Sequence, residues 1–277
     1  MRRATADSAA WEVLADLDPD IMLLQEVGGI PTELLDTLNA ITDRPRTKHD
    51  DLQKFQSAIL SKFELESHLP LESELDWVNQ EHEHYSGNIL ACTAKSGEAN
   101  RLNLISFYSP AWYIPDDRLA EVDQSRVKLM NNPKVYMTEI LWKLLADSMT
   151  HIEGGWLVAG DFNSSPTFDW MWGNGPRGNQ EFIDRMNALG LFDCLSGYAE
   201  ELVPTFMNAR GGKVIHQLDY IYIDNHLKNR LRSAGLAIDC GIFERSLSDH
   251  LPVVSDFDDE KLFESMLRGE VQCYRYR

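Results

Sequence analysis

Four short stretches share one design: an apolar run of strand character stops, and side chains able to coordinate or move protons follow at once. Leu23-Leu24 leads into Gln25-Glu26, and Val158-Ala159 leads into Gly160-Asp161-Phe162-Asn163. Gln217-Leu218-Asp219-Tyr220-Ile221 carries a carboxylate within an apolar run, and Ser248-Asp249-His250 precedes Leu251-Pro252. Strand ends are where a rigid scaffold presents reactive groups. Singly, each stretch has an ordinary reading. Gln-Glu is a solvated strand exit, and Gly-Asp-Phe-Asn an Asx-type turn. Asp219 alternates with Leu218 and Tyr220 and so faces solvent, while Ser-Asp-His makes a turn or a helix cap. Four such stretches, in this order and in one chain, are hard to obtain by chance.

Side chains so far apart in sequence need a scaffold to bring them together, and the apolar periodicity outlines one. Residues 4–17 read as a helix with Trp11, Leu14 and Leu17 on one face, ended by Pro19. Ile21-Met22-Leu23-Leu24 follows as a buried strand, and Pro31 opens a second helix carrying Leu34, Leu35 and Leu38. Ser57-Ala58-Ile59-Leu60 is a further strand. Ile89 to Ala94 and Arg101 to Phe107 form a hairpin around Ser96-Gly97-Glu98. Val135 to Met149 spaces Ile140, Leu141, Leu144 and Leu145 as a helix, and Trp156 to Ala159, Leu218 to Ile223 and Val253-Val254 read as strands. Strands interleaved with helices along the whole chain predict α/β or α+β layering. With no linker, repeat or low-complexity tract, residues 1–277 read as a single domain.

Composition narrows the partners. The chain has 277 residues, 43% of them hydrophobic, enough to bury a sizeable core. Its formal net charge of −18 argues against a broad basic face for duplex DNA, because phosphate contacts need Lys and Arg. It leaves room for a nucleic acid held locally and for carboxylates around a metal. Cys92, Cys194, Cys240 and Cys273 show no zinc spacing and read as buried thiols of a reducing compartment. No apolar run follows Arg2-Arg3, and none of about 18 residues occurs anywhere, so neither a signal peptide nor a membrane span is expected, and the location is cytoplasmic by default.

Together the four stretches resemble the endonuclease/exonuclease/phosphatase superfamily, the DNase I-like fold, from about Asp20 to Phe257. Gly160-Asp161-Phe162-Asn163 and Ser248-Asp249-His250 are the most specific parts. Phe107-Tyr108-Ser109-Pro110 and the Ser57 to Lys62 segment add to them. The resemblance implies two packed mixed β-sheets flanked by helices, a four-layer sandwich. It also implies a divalent-metal-dependent hydrolase of phosphate esters using Mg²⁺ or Mn²⁺. Glu26 is then the expected metal ligand, with Asp249 at or beside the ion; a hard cation wants carboxylate oxygens. The metal polarises a phosphoryl oxygen. Asp161 positions or deprotonates the attacking water, and Asn163 donates to phosphate oxygens. His250 acts on the scissile phosphate, Asp219 orients His250 and raises its pKa, and Tyr108 contacts phosphate.

The sequence also departs from that pattern. Family members open with a strand ending in Asn before the helix that leads to Gln-Glu, whereas this sequence starts at Met1-Arg2-Arg3, within the segment expected to be that helix. Either the central strand position is empty or otherwise filled, or the native chain is longer. Ala111 stands where several nuclease branches place Asn after the proline, and Gln217 stands where many members have Arg. His216-Gln217-Leu218-Asp219-Tyr220 is closer to retrotransposon-type branches.

Three functions remain in view. A nuclease cleaving nucleic-acid phosphodiester bonds is favoured by His216 to Asp219 and by aromatic loops holding Trp112, Tyr113, Trp170 and Trp172, which either stack on bases or cover the sheet edge. Arg210 and Lys213, beside Gly211-Gly212, are phosphate contacts or solvated loop cations. A phosphatase or phosphodiesterase for a small molecule or lipid headgroup is favoured by the acidity, and a binding-only member of the fold by the missing strand.

Overall fold

A computed structural model describes residues 1, 3–67, 69–96, 101–171, 176–197, 201–208 and 212–258. In chain order the first half comprises α1 (Ala10–Leu17), β1 (Ile21–Val27), α2 (Thr32–Leu35), β2 (Asn39–Asp43), β3 (Gln56–Ser61), β4 (Glu64–Glu66), α3 (Asp76–His84), β5 (Ile89–Lys95) and β6 (Arg101–Tyr108). The second half comprises α4 (Met137–Ser148), β7 (Gly155–Asp161), α5 (Thr167–Met171), α6 (Asn179–Ala188), β8 (Phe192–Asp193), β9 (Phe206–Asn208), β10 (Lys213–His216), β11 (Asp219–Ile223), α7 (Asn225–Lys228), β12 (Leu231–Leu236) and β13 (Val253–Phe257).

Six strands form the principal sheet in the order β4-β5-β6-β7-β11-β8. It is mixed: β6 and β7 run parallel, and the other pairs are antiparallel. The helix α4 makes the crossover between β6 and β7, as a parallel connection requires. A second layer consists of β1-β3-β2 and, separately, β12-β13.

Side-chain alternation along the strands builds the layers, because successive residues point to opposite faces. On β7, Leu157 and Ala159 point between the sheets, where they meet Ile59, Leu104, Ile221 and the half-buried Ile21, Leu23 and Val253. Trp156 and Val158 point the other way, into a core with Ile140, Leu141 and Leu144 of α4 and Phe182 and Met186 of α6. On β1, Met22 and Leu24 face away from the inter-sheet core and pack with Trp11 of α1 and Leu34 of α2. The result is helix, sheet, sheet, helix, the layering implied by the sequence. Of the cysteines, Cys92 and Cys194 are buried as expected, Cys240 is half-buried, and Cys273 lies outside the described residues.

The first helix is shorter than its periodicity predicts. Ala4 is paired with Val27 in a parallel bridge, and Arg3 N–H donates to Glu26 O at 2.6 Å, so Arg3 and Ala4 lie along β1 instead of coiling. Beyond this contact, β1 has only β3 as a hydrogen-bonded neighbour among the described residues, and β13 has only β12. Residues of both strands, Ile21 to Gln25 and Val253 to Phe257, line one cavity of about 560 Å³. The central strand position of the second layer is therefore occupied, among the described residues, only at one end, by Arg3 and Ala4. The expected hairpin is formed by β5 and β6, and residues 97–100 of its turn lie outside the described residues.

Candidate active site

Three neighbouring strands of the six-stranded sheet end in the same register. Tyr108 of β6 is paired with Asp161 of β7, and Asp161 is paired with Asp219 of β11. The row of backbone hydrogen bonds thus sets Tyr108, Asp161 and Asp219 side by side. Asp219 does not simply face solvent, as its alternation alone would allow. Close approach at this end requires Gly160, whose φ is +147°. A Cβ there would lie 2.0 Å from the Phe107 carbonyl oxygen.

The facing layer delivers Glu26. The β1–β3 register shifts between Leu24 and Val27, and within this bulge Glu26 takes φ +55°. Bulges re-aim side chains, and left-handed non-glycine residues gather at functional sites. Gln25 ties the bulge to the other sheet through Nε2, which donates to Ser106 Oγ at 2.8 Å. The Tyr108 hydroxyl donates to Glu26 Oε1 at 3.2 Å. Burial, aided by Glu26 and Asp161, raises the Tyr108 pKa, so the phenol keeps its proton.

Asn163 is the second left-handed site residue, with φ +45°. Its backbone N–H donates to Asp161 Oδ1 at 2.9 Å, and its Nδ2 donates to Ser109 O at 2.7 Å and to Asp161 Oδ2 at 3.1 Å. Both amide hydrogens are therefore engaged, and Asn163 here fixes Asp161. Phe162 anchors the turn: it is fully buried against Phe107, Phe182, Tyr220 and Tyr222, with ring centroids 4.8–5.9 Å apart. Truncating such a side chain to Ala typically costs about 3–5 kcal/mol.

His250 arrives from the loop before β13, bridged to Phe206 and lying 4.9 Å from its ring. Its Nδ1 donates to Asp219 Oδ2 at 2.7 Å. Burial lowers its pKa, but the Asp219 carboxylate and that hydrogen bond outweigh burial and push it up to about 9. Asp161 is also raised, which for an acid favours the neutral form. Burial is the largest cause and Asp219 and Glu26 add to it, against the pull of His250, so its carboxyl is pushed up to about 7. Asp249 is half-buried next to His250, and its carbonyl accepts from Met207 N–H at 2.8 Å. The amino group of Met1, which donates to Gln25 O at 2.9 Å, is acted on by Glu26, Asp219, Asp161 and Asp249 together. All seven residues singled out in the sequence thus fall in one region.

Thr205 belongs to this site and carries no sequence signal. Its hydroxyl donates to Asp219 Oδ2 at 2.6 Å and accepts from the backbone N–H of Leu218 at 3.0 Å and of Asp219 at 3.2 Å. A threonine after a proline in a loop looks like any other; only the fold brings it to Asp219. The aromatic loops divide. Trp112 packs against Tyr85 at 5.7 Å beside the core, while Trp170 on α5 is 69% exposed. Trp172 and Arg210 lie outside the described residues, and Lys213 is exposed.

The donor set fits a divalent cation. Ligand atoms of Asp161, Asp219 and His250 lie within 4.8 Å of one another. Glu26 acts electrostatically on Asp161, and Asp249 on His250, from beside this group. Burial is the main reason the Asp161 carboxyl is raised, and the smaller contributions of Asp219 and Glu26 are the part that a cation would offset.

The model of the Endonuclease/Exonuclease/phosphatase family matches residues 2–250. The chain belongs to this family. Among solved structures, the family fold of this chain resembles a 3′-5′ exonuclease, NExo, from Neisseria meningitidis, with a TM-score of 0.61 at 18% identity over 92% of this chain and 97% of that one. It also resembles an AP endonuclease from Archaeoglobus fulgidus, with a TM-score of 0.60 at 18% identity over 92% and 97% of the two chains. A third is the endonuclease domain of TRAS1, a telomere-specific non-LTR retrotransposon, with a TM-score of 0.56 at 15% identity over 92% and 93%. At these identities the likeness is one of fold. A search of curated proteins finds no match. Among the described residues no helix is long and apolar enough to cross a membrane.

Proposed function

We propose that this chain is a divalent-metal-dependent phosphodiesterase acting on nucleic acid. The observation that carries the reading is geometric: ligand atoms of Asp161, Asp219 and His250 lie within 4.8 Å of one another, with Asp161 braced by Asn163 and His250 held by Asp219 at 2.7 Å. A hydrogen-bond donor for a phosphate oxygen and a base for the attacking water are two groups that hydrolysis of a phosphate ester uses.

Asp161 takes the proton of the attacking water, whose oxygen forms the new bond to phosphorus. The imidazolium of His250 donates to a non-bridging oxygen, where charge builds up. Asn163 and the Ser109 carbonyl keep Asp161 aimed, and Asp219 and Thr205 keep His250 aimed. The ester P–O bond breaks, and the departing oxygen is protonated from solvent. Glu26 and Asp249 are the residues proposed to hold Mg²⁺ or Mn²⁺. Asp219 and His250 lie close enough to contribute, but they are already hydrogen-bonded to each other, whereas among the described residues the Glu26 carboxylate accepts only from Tyr108. When bound, the ion supplies charge neutralisation at the phosphoryl oxygens.

The nucleic-acid substrate is supported by family membership, by neighbours that include an exonuclease and AP endonucleases, and by Trp170, exposed on the helix that follows the Asn163 turn. The test is a plasmid-nicking and single-strand cleavage assay with Mg²⁺ or Mn²⁺, run beside a panel of small phosphomonoesters. Cleavage of nucleic acid that is lost in Asp161→Ala and His250→Ala supports the proposal. Turnover confined to the small esters, or variants as active as the parent, refutes it.

A further inference from the structure

Gln217 immediately precedes Leu218-Asp219 and is 2% exposed. Its side-chain amide has a partner at each end. Nε2 donates to Asp193 Oδ2 on β8 at 3.1 Å, and Oε1 accepts from the backbone N–H of Val203 at 3.0 Å. One side chain thus joins the edge strand of the six-stranded sheet to the loop that carries Thr205.

That loop frames the His250 side of the site. Two residues beyond Val203, the Thr205 hydroxyl donates to Asp219 Oδ2 at 2.6 Å, and the same oxygen holds His250 at 2.7 Å. The Thr205 backbone N–H donates to His216 O, and its carbonyl accepts from Leu251 N–H, both at 2.9 Å. These bonds fix Thr205 between the neighbours of Gln217 and of His250, and the Val203 bond fixes how the chain approaches it. At the other end of the bridge, Asp193 is held by the pairing of β8 with β11 and by Leu195 N–H, which donates to its Oδ1 at 3.2 Å. Burial raises the Asp193 carboxyl to about 6, and the Gln217 amide is the foremost group opposing that rise, so at neutral pH the amide faces a carboxylate.

We infer that Gln217 is a positioning residue: by holding Val203 it sets where Thr205 meets Asp219, and so how His250 is aimed at the phosphate. The inference rests on the function proposed above. Gln217 touches no reacting atom. An amide suits the place because it accepts at one end and donates at the other. Arginine has donors only; at this position it pairs with Asp193 and leaves the Val203 N–H without an acceptor. Ionised glutamate has acceptors only; it keeps Val203 and sets a second negative charge against Asp193. The two substitutions cut the bridge at opposite ends.

The experiment compares the parent with Gln217→Arg, Gln217→Glu and Gln217→Met, the last of which removes both halves of the bridge at nearly the same length. Each is measured for Tm, for kcat and KM on nucleic acid with Mg²⁺, and for the proton NMR resonance of His250 Nδ1–H, assigned by its loss in His250→Ala. In the arginine and methionine variants kcat is expected to fall about tenfold with KM nearly unchanged, as for a small misplacement of an aligned group. Their Nδ1–H resonance moves from its parental position. Gln217→Met carries this prediction by itself if the longer guanidinium prevents folding. Gln217→Glu is expected to lower Tm more than Gln217→Arg and yet to keep more of kcat and a resonance closer to the parent's. Alignment then follows the Val203 half of the bridge and not stability, which a merely structural role would not produce. Parental kcat and resonance in the methionine variant, or losses that simply rank with Tm across the three, overturn the inference. The resonance is read without turnover. The same pattern in a protein that cleaves no nucleic acid would remove the nuclease reading and leave the hold of Gln217 on His250 standing.

Discussion

Asp219 stands directly across from Asp161 in the antiparallel pairing of β7 with β11. Two carboxylates so placed repel unless something positive is near, and Asp219 already holds the imidazolium of His250. A divalent cation should therefore stabilise the folded chain as well as support turnover. Adding Mg²⁺ or Mn²⁺ to EDTA-treated protein is expected to raise Tm, by an amount equivalent to about 2.7 kcal/mol once the ion reaches a hundredfold its Kd. Differential scanning fluorimetry would measure it, and an unchanged Tm at millimolar ion would count against a metal site here.

Thr205 makes a sharper test, because it touches neither water nor substrate in any step proposed above. Thr205→Val keeps the shape, removes the hydroxyl that holds Asp219, and strands the N–H groups of Leu218 and Asp219. We expect a loss of about 1–3 kcal/mol in stability. The rate should also fall, through kcat more than KM, because His250 loses its alignment. Thr205→Ser should restore most of both. A valine variant with full kcat would show that Asp219 is held well enough without it.

Gly160 tolerates no side chain. An added methyl group would sit 2.0 Å from the Phe107 carbonyl oxygen, and φ is +147°, so Gly160→Ala must push β6 and β7 apart. Overpacking of this kind costs about 1–3 kcal/mol, with left-handed strain added. A markedly lowered Tm or insoluble protein is the expected outcome, and wild-type thermal stability would contradict the close approach of the two strands.

Glu139 gives the molecule a pH dependence with a definite sign. Its carboxyl titrates near the ordinary 4.5 in the unfolded chain and near 7 in the fold. Between those values the folded state holds the proton and the unfolded state has lost it, so stability falls as pH rises. The contribution is fully present below about 4.5, is lost by about 7, and amounts to on the order of 3 kcal/mol. Glu139→Gln should flatten the Tm–pH curve across that window. A curve of the same slope in both proteins would assign the dependence elsewhere.

Most of the site is legible in the sequence because its residues follow strand ends, and a strand end is a local signal. Glu26, Asp161, Asp219 and His250 each announce themselves beside an apolar run. Their register is not legible: that Tyr108, Asp161 and Asp219 share one row depends on β6-β7-β11 adjacency, which no local pattern encodes. The bulge at Gln25-Glu26 has no Gly to mark it, since its left-handed residue is a glutamate. The sequence presents Asn163 as a donor to phosphate, but its backbone turn brings its amide onto Asp161 and Ser109 first. The short helix α1 shows tertiary pairing overriding periodicity: Ala4 finds a better backbone partner in Val27 than in the next helical turn.

The second layer is in two pieces, and each carries part of the site. Glu26 rides on β1, and His250 lies at the entrance to β13, with a cavity between the two strands. No hydrogen-bond ladder among the described residues spans that gap, so the spacing of the two residues is set by how each piece rests on the six-stranded sheet beneath. Amides of Ile21 to Gln25 and Val253 to Phe257 that point into the gap should trade hydrogen for deuterium quickly despite their central position. Anything that stiffens the gap, an added strand of polypeptide above all, should slow that exchange and narrow the range of distances between Glu26 and His250.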